Sequence, residues 1–113
     1  MNIIQNKPPR TFTVKGIEIK DHGKVRLGDD EMVSFVTPTQ KEYDFTAKSW
    51  GFYASPSLNG RLKNEGFKSA LVKNDQGMVY LMTVDISKME LFNKYIQDEN
   101  QEVIEWLDER ISS

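Results

Sequence analysis

The sequence contains no cysteine, so disulfides, thiolate metal sites and cysteine nucleophiles are all excluded. A chain without cysteine fits a reducing compartment. It contains a single histidine, His22, set between Asp21 and Gly23. One imidazole cannot make a multi-histidine metal site. No Gly-x-Ser-x-Gly elbow supplies a nucleophile for a Ser-His-Asp system either, so His22 reads as an exposed turn residue. The Gly-x-Gly-x-x-Gly and P-loop patterns are missing, which leaves dinucleotide and kinase chemistry without support and implies no cofactor. No run approaches the roughly 18 apolar residues of a membrane span. The opening Met-Asn-Ile-Ile-Gln-Asn-Lys-Pro-Pro-Arg lacks the apolar stretch of a signal peptide. The expected location is the cytoplasm, with no membrane partner.

What is present is a chain of 113 residues with a formal net charge of −2, the size of one domain. The charge is uneven. Up to Lys73 there are 12 basic against 8 acidic residues, and after it 3 against 9. The acidic end reads as the solvated face of helices. The basic part suits an anionic partner, but a general nucleic-acid binder would be basic overall, so no nucleic acid is expected. Asp29-Asp30-Glu31 is the densest acidic cluster, yet it lacks the Asp-x-Asp-x-Asp-Gly spacing of a calcium loop and implies no metal.

Residues 1–10, polar and with Pro8-Pro9, read as a flexible arm before a single α+β domain over 11–113. Phe12 and Val14, then Ile17 and Ile19 after a slip at Lys15-Gly16, predict two strand halves joined by a turn. Short strands follow over Lys24–Leu27, Glu31–Thr37 and Gln40–Phe45, separated by turn chemistry at Asp21-His22-Gly23, Gly28-Asp29-Asp30 and Pro38-Thr39. Ser55-Pro56 predicts a helix start and Gly66 its stop, giving a short helix over Pro56–Glu65. Phe67–Lys73 and Met78–Asp85 form a hairpin around Asn74-Asp75-Gln76-Gly77. The second of these strands is so apolar that it is expected at the centre of the sheet. Ser87 and Glu90 fit a capping box, with Met89, Phe92 and Ile96 on one helical face. Val103, Ile104, Leu107 and Ile111 predict a second C-terminal helix, with Trp106 at the edge of its stripe. The expected fold is a mainly antiparallel sheet of five to six strands, with a short inserted helix and two C-terminal helices packed on one face.

The segment from Lys48 to Arg61 departs from ordinary scaffold. It places Trp50, Phe52 and Tyr53, with Ser55 and Ser57, between two cations at a predicted helix N-terminus. Unpaired amides and a partial positive charge suit a phosphate or carboxylate there. Ser55 and Ser57 can add hydroxyls, Arg61 a planar fork, Lys48 a second charge, and Trp50 or Tyr53 a stacking face. The same run can instead plug the end of a small sheet, with Ser55 as a plain cap. Trp106 can complete the core or anchor a homodimer. With catalytic motifs absent, the expected function is a non-catalytic binding or accessory protein that engages an anionic small molecule or a protein partner. The alternative is a small enzyme using Asp44 and Tyr53 for acid–base work.

Glu42-Tyr43-Asp44-Phe45, Trp50-Gly51-Phe52-Tyr53 with Ser55-Pro56-Ser57, and Val103-Ile104-Glu105-Trp106-Leu107-Asp108 together resemble a group of small uncharacterised bacterial proteins. The members of that group accompany surface-polysaccharide or sugar-biosynthesis enzymes. The resemblance implies a partner or a phosphate-bearing ligand from that metabolism.

Overall fold

The computed structural model describes residues 1–111. Among the described residues, eight strands, three α-helices and one 3-10 turn follow one another, and strands dominate, so the α+β class with mainly antiparallel pairing holds. The strands are not gathered in one sheet. They form a two-stranded ribbon, a three-stranded sheet with Glu42–Lys48 between Met32–Val36 and Gly51–Ala54, and a three-stranded sheet with Phe67–Lys73 between Val79–Asp85 and Glu102–Trp106. The chain divides into two compact units. One holds Met1–Val33 with Phe45–Tyr53, and the other holds Ser34–Asp44 with the chain from Ala54 onward. β3 (Met32–Val36), β4 (Glu42–Lys48) and β5 (Gly51–Ala54) each carry residues of both units.

In the first unit, β1 (Asn2–Val14) and β2 (Ile17–Arg26) pair antiparallel. The turn falls at Lys15-Gly16, as the slip in alternation predicts, and both residues have positive φ, 49° and 81°. Residues 2–10, read from sequence as an arm, are strand. Asn2 to Gln5 pair with Gly23 to Arg26, and the register shifts between Gln5 and Arg10, so Pro8 and Pro9 sit in the irregularity where no ladder amide is needed. β2 runs through Asp21-His22-Gly23 where a turn was expected. Asp21 accepts from the Gly23 amide at 3.0 Å and from the Arg10 guanidinium, and this holds the chain extended.

The second unit contains most of the buried apolar side chains: Leu62, Phe67, Ala70, Val72 and Val84. β6 (Phe67–Lys73) is its central strand, flanked by β7 (Val79–Asp85) and β8 (Glu102–Trp106), both antiparallel to it. The β6–β7 hairpin matches expectation. The Asn74 side chain accepts from the amides of Gln76 and Met78, and Gly77 has φ 84°. The order of the strands does not match. β7 is an edge, because β8 takes the place beside β6 that a central β7 would require filled on its own far side.

β8 also corrects the second C-terminal helix. Residues 102–106 are strand, and helix α3 covers only Leu107–Ile111. Val103, Ile104 and Leu107 fit a helical stripe, but β-branched neighbours next to an unfilled sheet edge favour pairing. Helix α1 is likewise shorter than expected, Arg61–Asn64, after a turn in which the Gly60 and Leu62 amides donate to the Ser57 carbonyl. Helix α2 (Met89–Asp98) follows a 3-10 turn at Ile86–Lys88 capped by Asp85, which accepts from the Ser87 amide. No helix among the described residues is long and apolar enough to cross a membrane.

Candidate functional site

The six residues singled out in the sequence fall into two groups. Lys48, Trp50 and Tyr53 belong to the first unit, and Ser55, Ser57 and Arg61 to the second.

In the first group, a two-residue turn at Ser49-Trp50 joins β4 to β5. Gly51 follows with φ 140°, a value an L side chain rarely adopts, so the turn needs glycine there. The turn leaves Trp50 72% exposed, and Phe52 is 71% exposed. The Trp50 and Tyr53 rings stack, with centroids 6.3 Å apart and planes at 22°. Phe52 packs edge-on against Phe45 at 6.5 Å. The hairpin tip is therefore a surface of three exposed aromatic rings, two of them ordered against each other. Lys48 is tied down: its ammonium donates to Asp30 at 2.7 Å, and that carboxylate raises the lysine's pKa. Asp30 also donates its amide to the Ala47 carbonyl, and the Ala47 amide donates to Glu31. The acidic cluster thus folds back on β4 and spends one carboxylate on Lys48.

In the second group, Arg61 donates from both terminal nitrogens to Asp44, at 3.2 and 2.9 Å. Asp44 is buried, and the Arg61 fork, joined by a hydrogen bond from Ser55, holds its carboxyl below the usual carboxylate range. The Ser55 amide closes the cluster by donating to the Asp44 carbonyl. Ser57, not Ser55, serves the helix start, accepting the Arg61 amide at 3.2 Å. The fork expected to grip an external anion grips an internal one. Helix α1, with four residues, has too few aligned peptides to present a strong field at its N-terminus.

One further cluster was not singled out in the sequence, and Trp106, which was, finds its place in the packing. Lys41 pairs with Asp85, which also accepts from Thr39 and from the Ser87 hydroxyl, while Lys41 reaches the Gly66 carbonyl at 3.4 Å. Together these contacts pin the Thr37–Lys41 turn to the end of β7. Trp106 packs edge-on against Phe92 at 5.7 Å with the Lys68 ammonium 4.5 Å above its ring, so it belongs to the packing of the second unit. Of the two residues in the enzymatic alternative, Asp44 belongs to the second unit and Tyr53 to the first. Among the described residues, no group of three or more His, Asp or Glu side chains is placed to hold a metal ion.

No family model matches the chain, and neither a curated protein nor a solved structure shows significant similarity to it.

Proposed function

We propose that the protein is a non-catalytic binding or accessory module that engages a protein partner through the tip of the β4–β5 hairpin. The observation that carries this is the exposure of Trp50 and Phe52 beside Tyr53 on a tight turn. Large aromatic rings left in water at a rigid turn cost solvation and gain nothing for the fold, whereas they are the side chains that dominate binding when a partner covers them. A protein partner is favoured over a small phosphate compound because Arg61, the best anion fork in the segment, is already held by Asp44. The resemblance to proteins that accompany sugar-biosynthesis enzymes makes such enzymes the first partners to try.

The test is a photo-crosslinking amino acid placed at position 50, read against the Phe52→Ala variant of the same protein. A discrete cross-linked partner that disappears with Phe52→Ala supports the module. Absence of any specific adduct, or one indifferent to Phe52, overturns it. A parallel thermal-shift panel of nucleotide sugars and sugar phosphates covers the ligand reading, since ligand at about 100 times its Kd adds roughly 2.7 kcal/mol of stability. A hit there that Trp50→Ala abolishes would move the function to small-molecule binding.

A further inference from the structure

The sheet of the second unit has two edges, and they differ in kind. β8 is five residues long, carries Glu102 and Glu105, and is offset by a bulge between Leu71 and Val72 of its neighbour β6. Short length, charge and bulges are the devices that stop an edge from recruiting another strand. β7 is seven residues long and unbulged, and its single charge, Asp85, stands at its last position, paired with Lys41. From Met78 to Val84 it reads Met-Val-Tyr-Leu-Met-Thr-Val, without a charge, a proline or a bulge in its register. It is also exposed, Leu81 to the extent of 61%.

The hydrogen bonds at the two ends of the β6–β7 ladder fix which groups are unspent. The Asn74 amide donates to the Met78 carbonyl, and the Ile86 amide donates to the Gly66 carbonyl. Antiparallel bonding alternates, so Tyr80, Met82 and Val84 turn their main-chain groups toward β6, opposite Val72, Ala70 and Lys68. Val79, Leu81 and Thr83 therefore turn theirs outward, along a free edge.

We propose that this edge pairs with β7 of a second copy of the chain, antiparallel and about a twofold axis at Leu81, joining the two three-stranded sheets into one of six. The register follows from the alternation. Leu81 faces its partner's Leu81, and Val79 faces its partner's Thr83, with the outward amides and carbonyls meeting. Tyr80 faces its partner's Met82 on the other side of the sheet. Met82, with Val84, Leu91, Phe92 and Tyr95, lines an open groove of about 530 Å³ between β7 and α2. The partner's Tyr80 is thereby delivered to the mouth of that groove, beside Leu91, which is otherwise 64% exposed. A self-pairing edge must avoid setting like charges opposite each other. This register does so, since Asp85 falls opposite Gly77 and Asp75 opposite Ser87. A net charge of −2 leaves little long-range repulsion between copies.

The absence of cysteine makes the test clean. Wild-type protein should sediment at twice the 13.1 kDa chain mass, and Leu81→Lys should weaken the dimer by at least about tenfold, since an edge lysine opposes pairing. Under mild oxidation Leu81→Cys should cross-link to itself, because directly opposed residues of a hydrogen-bonded pair lie about 5.5 Å apart, within disulfide reach. Ile104→Cys, on the guarded edge, should not. Three results each overturn the proposal: a monomer at hundreds of micromolar, a dimer indifferent to Leu81→Lys, or equal cross-linking at positions 81 and 104.

Discussion

Arg61 and Asp44, 17 residues apart in sequence, are joined by two parallel hydrogen bonds of 3.2 and 2.9 Å, one to each carboxylate oxygen. The pair ties the first turn of α1 to β4 around a buried carboxylate. Removing the fork would leave that carboxylate out of water without a cation, the costly side of an ion pair. Arg61→Ala should lower Tm by about 5 °C or more. Arg61→Lys should restore only part of the loss, because an ammonium offers one point of charge and not a planar pair of donors. In a calorimetric double-mutant cycle with Asp44→Asn, the two losses should fall well short of adding.

The aromatic tip should behave in the opposite way. Trp50 and Phe52 are largely in water, so replacing both by alanine should shift Tm by no more than about 2 °C. The same double variant should weaken binding to a cross-linked partner at least about tenfold, read by titration calorimetry. A large loss of stability would instead show the rings to be structural.

Acid should unfold the protein through a small set of carboxylates. The Lys41 ammonium, then the Ser87 hydroxyl and amide, hold the Asp85 carboxyl well below its ordinary value of 3.8. Asp44, Asp21 and Glu31 are held down in the same direction. The unfolded chain takes these protons first as pH falls, so the stabilisation is complete above the ordinary values and drains away below them. Urea midpoints should stay nearly level from about pH 7 to 5 and fall steeply toward about pH 3. Asp85→Asn should be less stable at neutral pH and should show a shallower acid slope.

Leu62 is the largest fully buried side chain and the main apolar anchor of α1 against β6. Leu62→Ala should cost about 3 kcal/mol, as cavity-forming leucine deletions in cores do. The urea m-value should be unchanged, since the surface exposed on unfolding hardly differs.

Local chemistry made part of this fold legible in the sequence. The Lys15-Gly16 turn and the Asn74–Gly77 loop were readable because positive φ and side-chain caps act within a few residues. The strands expected over 31–37 and 67–73, found over 32–36 and 67–73, followed from short apolar runs bounded by turn residues. The run Val103-Ile104-Glu105-Trp106-Leu107 misled because five residues are too few to separate a period of 3.6 from a period of 2. The polar stretch 2–10 misled because its partner, 23–26, is reached only across the Lys15-Gly16 turn.

The sequence by itself determined the absences: no thiol chemistry, no multi-histidine metal site and no phosphate loop. It also put Trp50, Phe52 and Tyr53 within four residues of one another, though at an expected helix start and not at the hairpin turn where they stand. Only the tertiary structure decided what the charged residues of that segment do. Lys48 went to Asp30 and Arg61 to Asp44, partners 18 and 17 residues away, and such pairings depend on how strands stack and not on spacing. The place of β7 was decided the same way. An apolar strand reads as central from its side chains, but which strand is flanked on both sides depends on where β8 pairs, and that is a property of the whole sheet.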